Sequence, residues 1–247
     1  KEQGWSKEIT KQNKKNISNM GADQALQEKT MDWFNHASRH EYSYHFKWMG
    51  RPIIQFPQDM VAMQEIIWRV KPDIIVETGI AHGGSLIFHA SMMEMMRLPG
   101  KVLGIDTDIR PHNKKALDEH MMRDRIEMIQ GSSINEDTFS EVKDIVDKYE
   151  KPLVILDSNH THNHVKQELE LYADFVRKDS YLLVFDTVVE FMDEELSSNR
   201  PWGHGNNPYT AVQDFLKSNN RFAVDQGIEN KLQISVALGG YLKCLSD

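Results

Sequence analysis

The chain has 247 residues, 40% of them hydrophobic, with 29 Lys and Arg against 37 Asp and Glu for a formal net charge of −8. That length suits one large α/β domain with an appendage, and an acidic balance without a basic stripe argues against a nucleic-acid-binding face. The single cysteine, Cys244, cannot close an internal disulfide, and no apolar run reaches the ~20 residues of a membrane span, so the expected setting is the cytoplasm, with no membrane partner.

Residues 1 to about 20 are polar and rich in Lys and Asn, with Trp5 and Ile9 as apolar handholds, and read as a loosely held arm. From Ala22 to Tyr42, Leu26, Met31 and Phe34 recur at helical spacing, and aromatics follow at Tyr44, Phe46 and Trp48. Trp48-Met49-Gly50-Arg51-Pro52 predicts a turn. A helix ending near Val70 carries Met60, Met63, Ile66 and Ile67, and Lys71-Pro72-Asp73 stops it. Residues 1–57 are therefore expected to form an N-terminal arm and substrate-side cap, whose aromatics offer a surface for a homo-oligomer, and residues 58–247 the ligand-binding domain.

The stretch Ile74-Ile75-Val76-Glu77-Thr78-Gly79-Ile80-Ala81-His82-Gly83-Gly84-Ser85 then passes from an apolar β-branched run through a glycine turn into the helical pattern Leu86 to Met96. A strand, tight loop and helix in that order present backbone N–H groups to a polar ligand. The spacing departs from the dinucleotide fingerprint G-x-G-x-x-G, because Ala81 stands where a second glycine is needed. Further strands are expected at Val102–Ile105, Ile126–Ile129, Leu153–Leu156 and Tyr181–Phe185, separated by helical stretches, which argues for a parallel sheet covered on both faces. Beyond them lie a loop over about 191–207, in which Trp202 sits among glycines able to hinge over a substrate, and a helix from Pro208 capped by Asn207. Late strands are expected at Phe222–Val224 and Leu232–Leu238, the latter forming a hairpin with Tyr241–Cys244.

Four of the strand ends carry an acid: Glu77, Asp106, Asp157 and Asp186. In a doubly wound sheet those ends share one edge, so residues far apart in sequence converge on one crevice. Asp106, about 20 residues past the glycine loop, is positioned for a ribose diol. Glu77 orders the loop or binds a ligand amine, and Gln130-Gly131-Ser132 would border an adenine. Asp157 and Asp186 could share Mg²⁺ or form an acid/base pair. In Asp157-Ser158-Asn159-His160-Thr161-His162-Asn163-His164, His160 first and His162 second are candidates for a general base that deprotonates an acceptor hydroxyl. His82 either meets the ligand or packs the loop.

PDIIVETGIAHGGSLIFHAS, VLGIDTDIR, VILDSNHTHNHV, YLLVFDTVVE, RPWGHGNNPYTAV and IENKLQISVALGGYLK together resemble the cephalosporin hydroxylase / rhamnosyl O-methyltransferase family of class I S-adenosylmethionine-dependent methyltransferases, from about Pro52 to Leu242. The resemblance implies a Rossmann-like α/β fold, a mostly parallel doubly wound sheet with a C-terminal antiparallel hairpin strand. It also implies methyl transfer to a hydroxyl of a sugar or natural product, with S-adenosylmethionine and Mg²⁺. By position it makes Glu77, Gly79 and Gly83 the methionine-side loop, Asp106 the ribose ligand, and Asp157 and Asp186 the metal carboxylates, with His82, Ser85 and Asp157 also expected at the cofactor. Relatives often carry two consecutive acidic or amide residues at the second metal position, whereas Asp186 lies between Phe185 and Thr187, so Thr187, Asn159 or water would complete the shell. The rival readings are an NAD(P)-dependent oxidoreductase, a non-catalytic cofactor-binding subunit, and a true hydroxylase, for which no two-His-one-carboxylate set can be assigned.

Overall fold

The computed structural model describes residues 5–247 and begins with two helices, α1 (Lys7–Ala22) and α2 (Gln24–Ser38). A two-stranded ribbon follows, β1 (Lys47–Trp48) and β2 (Arg51–Pro52), turned by Met49 and Gly50 at φ of 45° and 87°. Then come α3 (Pro57–Val70), β3 (Ile74–Thr78), α4 (Gly84–Met95), β4 (Lys101–Asp106), α5 (Pro111–Asp118), β5 (Ile126–Gln130), α6 (Glu136–Val146), β6 (Pro152–Leu156), α7 (His162–Tyr172) and β7 (Tyr181–Val184). The chain closes with α8 (Pro208–Ser218), β8 (Phe222–Val224), α9 (Gln226–Leu232) and β9 (Tyr241–Cys244).

Seven strands form the main sheet in the order β5-β4-β3-β6-β7-β9-β8, and β9 runs antiparallel to both of its neighbours. The sheet separates two cores because side chains alternate across it. Ile75 packs among Ile66, Ile67, Leu86 and Ile87 of α3 and α4. Ile74 and Val76 pack on the opposite face among Val142, Leu169 and Val212 of α6, α7 and α8. Burying each such side chain contributes roughly 1.5–3 kcal/mol, which is why strand runs this apolar end up covered on both faces.

Two expectations are corrected. The N-terminal segment from Lys7 is a helix rather than a loose arm: the Ser6 hydroxyl accepts the Ile9 N–H at 3.3 Å, and α1 lies against α9. Residues 1–4 of that arm lie outside the described residues. The strand expected at Leu232–Leu238 does not form. Gln226–Leu232 is α9, Gln233 turns out of it at φ 63°, and buried Asp59 of α3 takes the Ser235 hydroxyl and the Val236 N–H at 2.6 and 3.0 Å. Those donors are therefore unavailable to a ladder, and β9 inserts between β7 and β8 instead of pairing with residues 233–238.

The register aligns the strand ends. Thr78 pairs level with Ile105 and with Leu156, and Leu156 with Val184, so β3, β4, β6 and β7 finish on one edge. The chain reverses its winding between β3 and β6, and the crevice that binds ligands in open α/β sheets opens at such a point.

Candidate active site

The loop leaving β3 is fastened from both sides. Ile80 and Ala81 donate their N–H groups to Asp106 Oδ2 at 2.8 and 3.2 Å. From outside, the Arg51 guanidinium reaches the His82 carbonyl at 2.6 Å and the Asn113 side-chain oxygen at 2.9 Å, while Asn113 in turn donates to the Ala81 carbonyl at 2.9 Å. Gly79 must be glycine: its φ is 92°, and a Cβ there would lie 2.1 Å from the Asp157 carbonyl. Ala81 holds φ 45° without being glycine, a conformation that costs about 1–2 kcal/mol and explains why the loop needs these clamps.

A cavity of about 220 Å³ lies between this loop, the segment Pro52–Gln55 and the ends of β6 and β7. Glu77, Asp106, Asp157 and Asp186 all line it, with His82, Ser85 and His160 and no lysine or arginine. A second cavity of about 150 Å³ shares Gly79, Asp106 and Ser158 with it and runs on past Gly131 and Ser133. Nucleotide-sized space thus spans both sides of the glycine loop.

Charge in this crevice is unbalanced. One carboxylate oxygen each from Asp157 and Asp186 and one His160 ring nitrogen lie within 4.8 Å of one another, and His160 Nε2 is 3.1 Å from Asp186 Oδ2. Asp186 reaches this position from φ 54°, a left-handed conformation that Asp tolerates. Burial pushes the Asp157 carboxyl well above the usual carboxylate range, and the negative fields of Asp186, Glu77, Glu168 and Asp59 push it further. Glu77 is 2% exposed, and the His89 ring nitrogen Nδ1 lies 3.1 Å from its Oε2. Such a set of acids calls for a cation or a positively charged ligand.

On the far side of Asp186 and His160 a larger cleft of about 590 Å³ is walled by Phe34, Tyr42, Phe56 and Trp202. Its roof is tied down across the opening. Arg39, just beyond α2, pairs with Asp193 at 2.7 Å and with Glu195, and Asn35 of α2 donates to Asp193 at 3.0 Å. The Trp202 ring meets the His160 ring edge-on at 4.7 Å, with the Arg200 guanidinium 5.5 Å above the indole.

Several residues expected in the site stand elsewhere. His162 faces α8, its Nδ1 2.8 Å from the Thr210 hydroxyl and its Nε2 3.5 Å from Asp214, so its ring is engaged away from the crevice. Thr187 is completely buried and its hydroxyl points to the Val236 carbonyl at 3.4 Å, so it offers no ligand to the Asp157–Asp186 cluster. The Asn159 side-chain oxygen accepts the Thr161 N–H and hydroxyl and shapes the turn before α7. Gly83, at φ 79°, starts α4 and packs on Leu117. Gln130 is exposed, and of the residues just after β5 it is Gly131 and Ser133, not Ser132, that line the second cavity. The clamps Arg51 and Asn113 and the buried His89 were not foreseen; for His89 the signal was a single imidazole within the apolar helix SLIFHASMM.

Sheet order and crevice together give the molecule the class I methyltransferase fold among α/β proteins. The family model for Rhamnosyl O-methyltransferase/CmcI matches residues 40–245, and the chain belongs to that family. Over 200 residues it is 28% identical to a rhamnosyl O-methyltransferase of Mycobacterium tuberculosis (strain ATCC 25618 / H37Rv), covering 79% of this chain and 76% of the relative. It is 27% identical over 203 residues to the rhamnosyl O-methyltransferase of Mycobacterium leprae (strain TN), covering 79% and 81%. Among solved structures, apo CmcI matches with a TM-score of 0.58 at 18% identity over 83% of this chain and 78% of CmcI. CmcI with Mg and SAM matches with a TM-score of 0.57 at 18% identity over 82% and 78%. At that identity the likeness is one of fold.

Proposed function

We propose that this protein is an S-adenosylmethionine-dependent O-methyltransferase that acts, with Mg²⁺, on a hydroxyl of a sugar or sugar-bearing natural product. The observation that carries the reading is the cavity with four carboxylates and no lysine or arginine among its lining residues. A sulfonium donor brings two positive groups, its sulfur and its α-ammonium, and a divalent ion brings two more charges. A nicotinamide dinucleotide brings a pyrophosphate, whose two negative charges would meet Asp106, Asp157 and Glu77 without a basic residue to receive them. Family membership and the relatives named rhamnosyl O-methyltransferase support the reaction and the acceptor class.

Asp157 and Asp186 would hold the metal, since Mg²⁺ favours carboxylate and water oxygens and both carboxylates converge within one ion's reach. Bound there, Mg²⁺ supplies Lewis acidity that makes an acceptor hydroxyl easier to deprotonate. His160, beside Asp186 and open to the larger cleft, takes the hydroxyl proton as general base. Asp106, Gly131 and Ser133 would hold the adenosine, and Glu77 the methionine end. Residues 34–56, with the roof around 191–202, cap the acceptor, and Trp202 together with Tyr42 offers aromatic faces to a sugar ring while excluding water.

Titration calorimetry with S-adenosylhomocysteine and with NADH, followed by a methyl-transfer assay on a panel of rhamnosylated and other glycosylated acceptors, tests this. Uptake of S-adenosylhomocysteine, no uptake of NADH and Mg²⁺-dependent methylation are expected. Binding of NADH alone would refute the reading, and donor binding without transfer to any acceptor would favour a non-catalytic subunit.

A further inference from the structure

We infer that His89 is a positioning residue for the amino-acid end of the donor, acting through Glu77; the inference rests on the methyl-donor reading above. His89 lies in the middle of α4, where its neighbours Leu86, Ile87, Phe88, Ala90, Met92 and Met93 are all core residues, and it is itself only 4% exposed. An imidazole is unfavourable in such surroundings unless it meets a partner. Its Nδ1 lies 3.1 Å from Glu77 Oε2.

Glu77 is in the complementary situation. It is 2% exposed at the end of β3, and no backbone or side-chain N–H of the described residues makes an aligned hydrogen bond to Oε2, His89 included. A buried carboxylate in that state is strongly unfavourable. Two hydrogen-bond donors can relieve it, the imidazole behind and a ligand group in front, because Glu77 lines the 220 Å³ cavity as well. A small void of about 10 Å³ adjoins Glu77, Ser85 and His89. Glu77 thus stands between His89, 3.1 Å away, and the cavity it lines, where the α-ammonium of a sulfonium donor would supply the missing charge. His89 touches neither donor nor acceptor; it decides how firmly Glu77 is presented.

The prediction separates two nucleosides that differ at this end. S-Adenosylhomocysteine carries the α-ammonium, whereas 5′-methylthioadenosine has the same adenosine and thioether without it. Calorimetry on the whole protein should show His89→Leu weakening S-adenosylhomocysteine about tenfold while changing 5′-methylthioadenosine less than about twofold, the loss expected for one charge-assisted hydrogen bond. His89→Asn, whose amide nitrogen stands near the position of Nδ1, should restore most of the difference. In a Glu77→Gln background His89→Leu should have no further effect on either nucleoside. Equal weakening of both nucleosides, or the same loss in the Glu77→Gln background, would reduce His89 to a packing residue and overturn the inference, as would unchanged affinity for S-adenosylhomocysteine. If the unaltered protein binds neither nucleoside, it is the methyl-donor reading that fails, and this one with it.

Discussion

Replacing Asp157 by Asn should abolish methyl transfer and at the same time make the ligand-free protein more stable. In the ligand-free crevice Asp157 and Asp186 present oxygens within 4.8 Å of one another, and at the effective dielectric of about 20 that suits protein sites two such charges repel by about 3 kcal/mol. Asn keeps the shape of Asp157 and its contact with the Gln55 amide, 3.4 Å away, but removes the charge. The sign with pH follows from the raised carboxyl. Protonation relieves unmodified Asp157 as pH falls, so the advantage of the variant is full above the folded-state value and disappears towards pH ~4, where both folded and unfolded carboxyls are neutral. Urea denaturation in EDTA across this pH range should show a variant gain of up to about 3 kcal/mol on the alkaline side. Added Mg²⁺ should reverse the order by stabilising the parent and not the variant. Turnover should fall by at least about 100-fold, while affinity for S-adenosylhomocysteine stays within about threefold. A variant less stable than its parent in EDTA at neutral pH, or one that Mg²⁺ stabilises equally, would refute the electrostatic argument.

Three further outcomes follow from other parts of the site. His160→Gln should lower kcat by roughly 10²–10⁴-fold, whereas His162→Gln, in a ring turned to Thr210 and Asp214, should leave kcat within about twofold and lower only thermal stability, checked in one assay series with donor affinity as control. Trp202→Ala should reduce kcat/KM for the acceptor by about tenfold without changing S-adenosylhomocysteine affinity, because the indole touches His160 and the acceptor cleft but does not line the donor cavity; equal loss of donor binding would contradict that division. Burial lifts the Asp59 carboxyl to about 6 against its Ser235, Tyr241 and Val236 hydrogen bonds, so its contribution to stability is greatest below pH ~4 and is lost as pH rises to about 6. The stability gap between the parent and Asp59→Asn should therefore widen in the parent's favour by about 2 kcal/mol between pH 7 and pH 4, measured by denaturant titration.

The amino-acid sequence by itself determined the parallel sheet and the four acids at its strand ends. β3, β4, β6 and β7 are short apolar runs that only a doubly covered sheet can bury, and Glu77, Asp106, Asp157 and Asp186 lie within two residues of their carboxyl ends, so parallel alignment leaves them one edge on which to emerge. The glycine loop was legible for the same local reason, since Gly79 and Gly83 answer to backbone angles and close approach within a few residues. What only the tertiary structure decided depends on partners distant in the chain. The residues around Ile234 alternate well enough for a strand, but Asp59 some 170 positions earlier captures Ser235 and Val236, and a hydrogen-bonding group has one best partner in three dimensions whatever its local pattern. His160 and His162 were both candidates from sequence, His160 first; in the structure His160, in the turn before α7, meets Asp186, whereas His162, the first residue of α7, meets Asp214 on α8. His89, Arg51 and Asn113 read as ordinary polar residues because their meaning lies in what stands opposite them. Local sequence specifies backbone conformation and burial, whereas the assignment of charge to charge is made by packing.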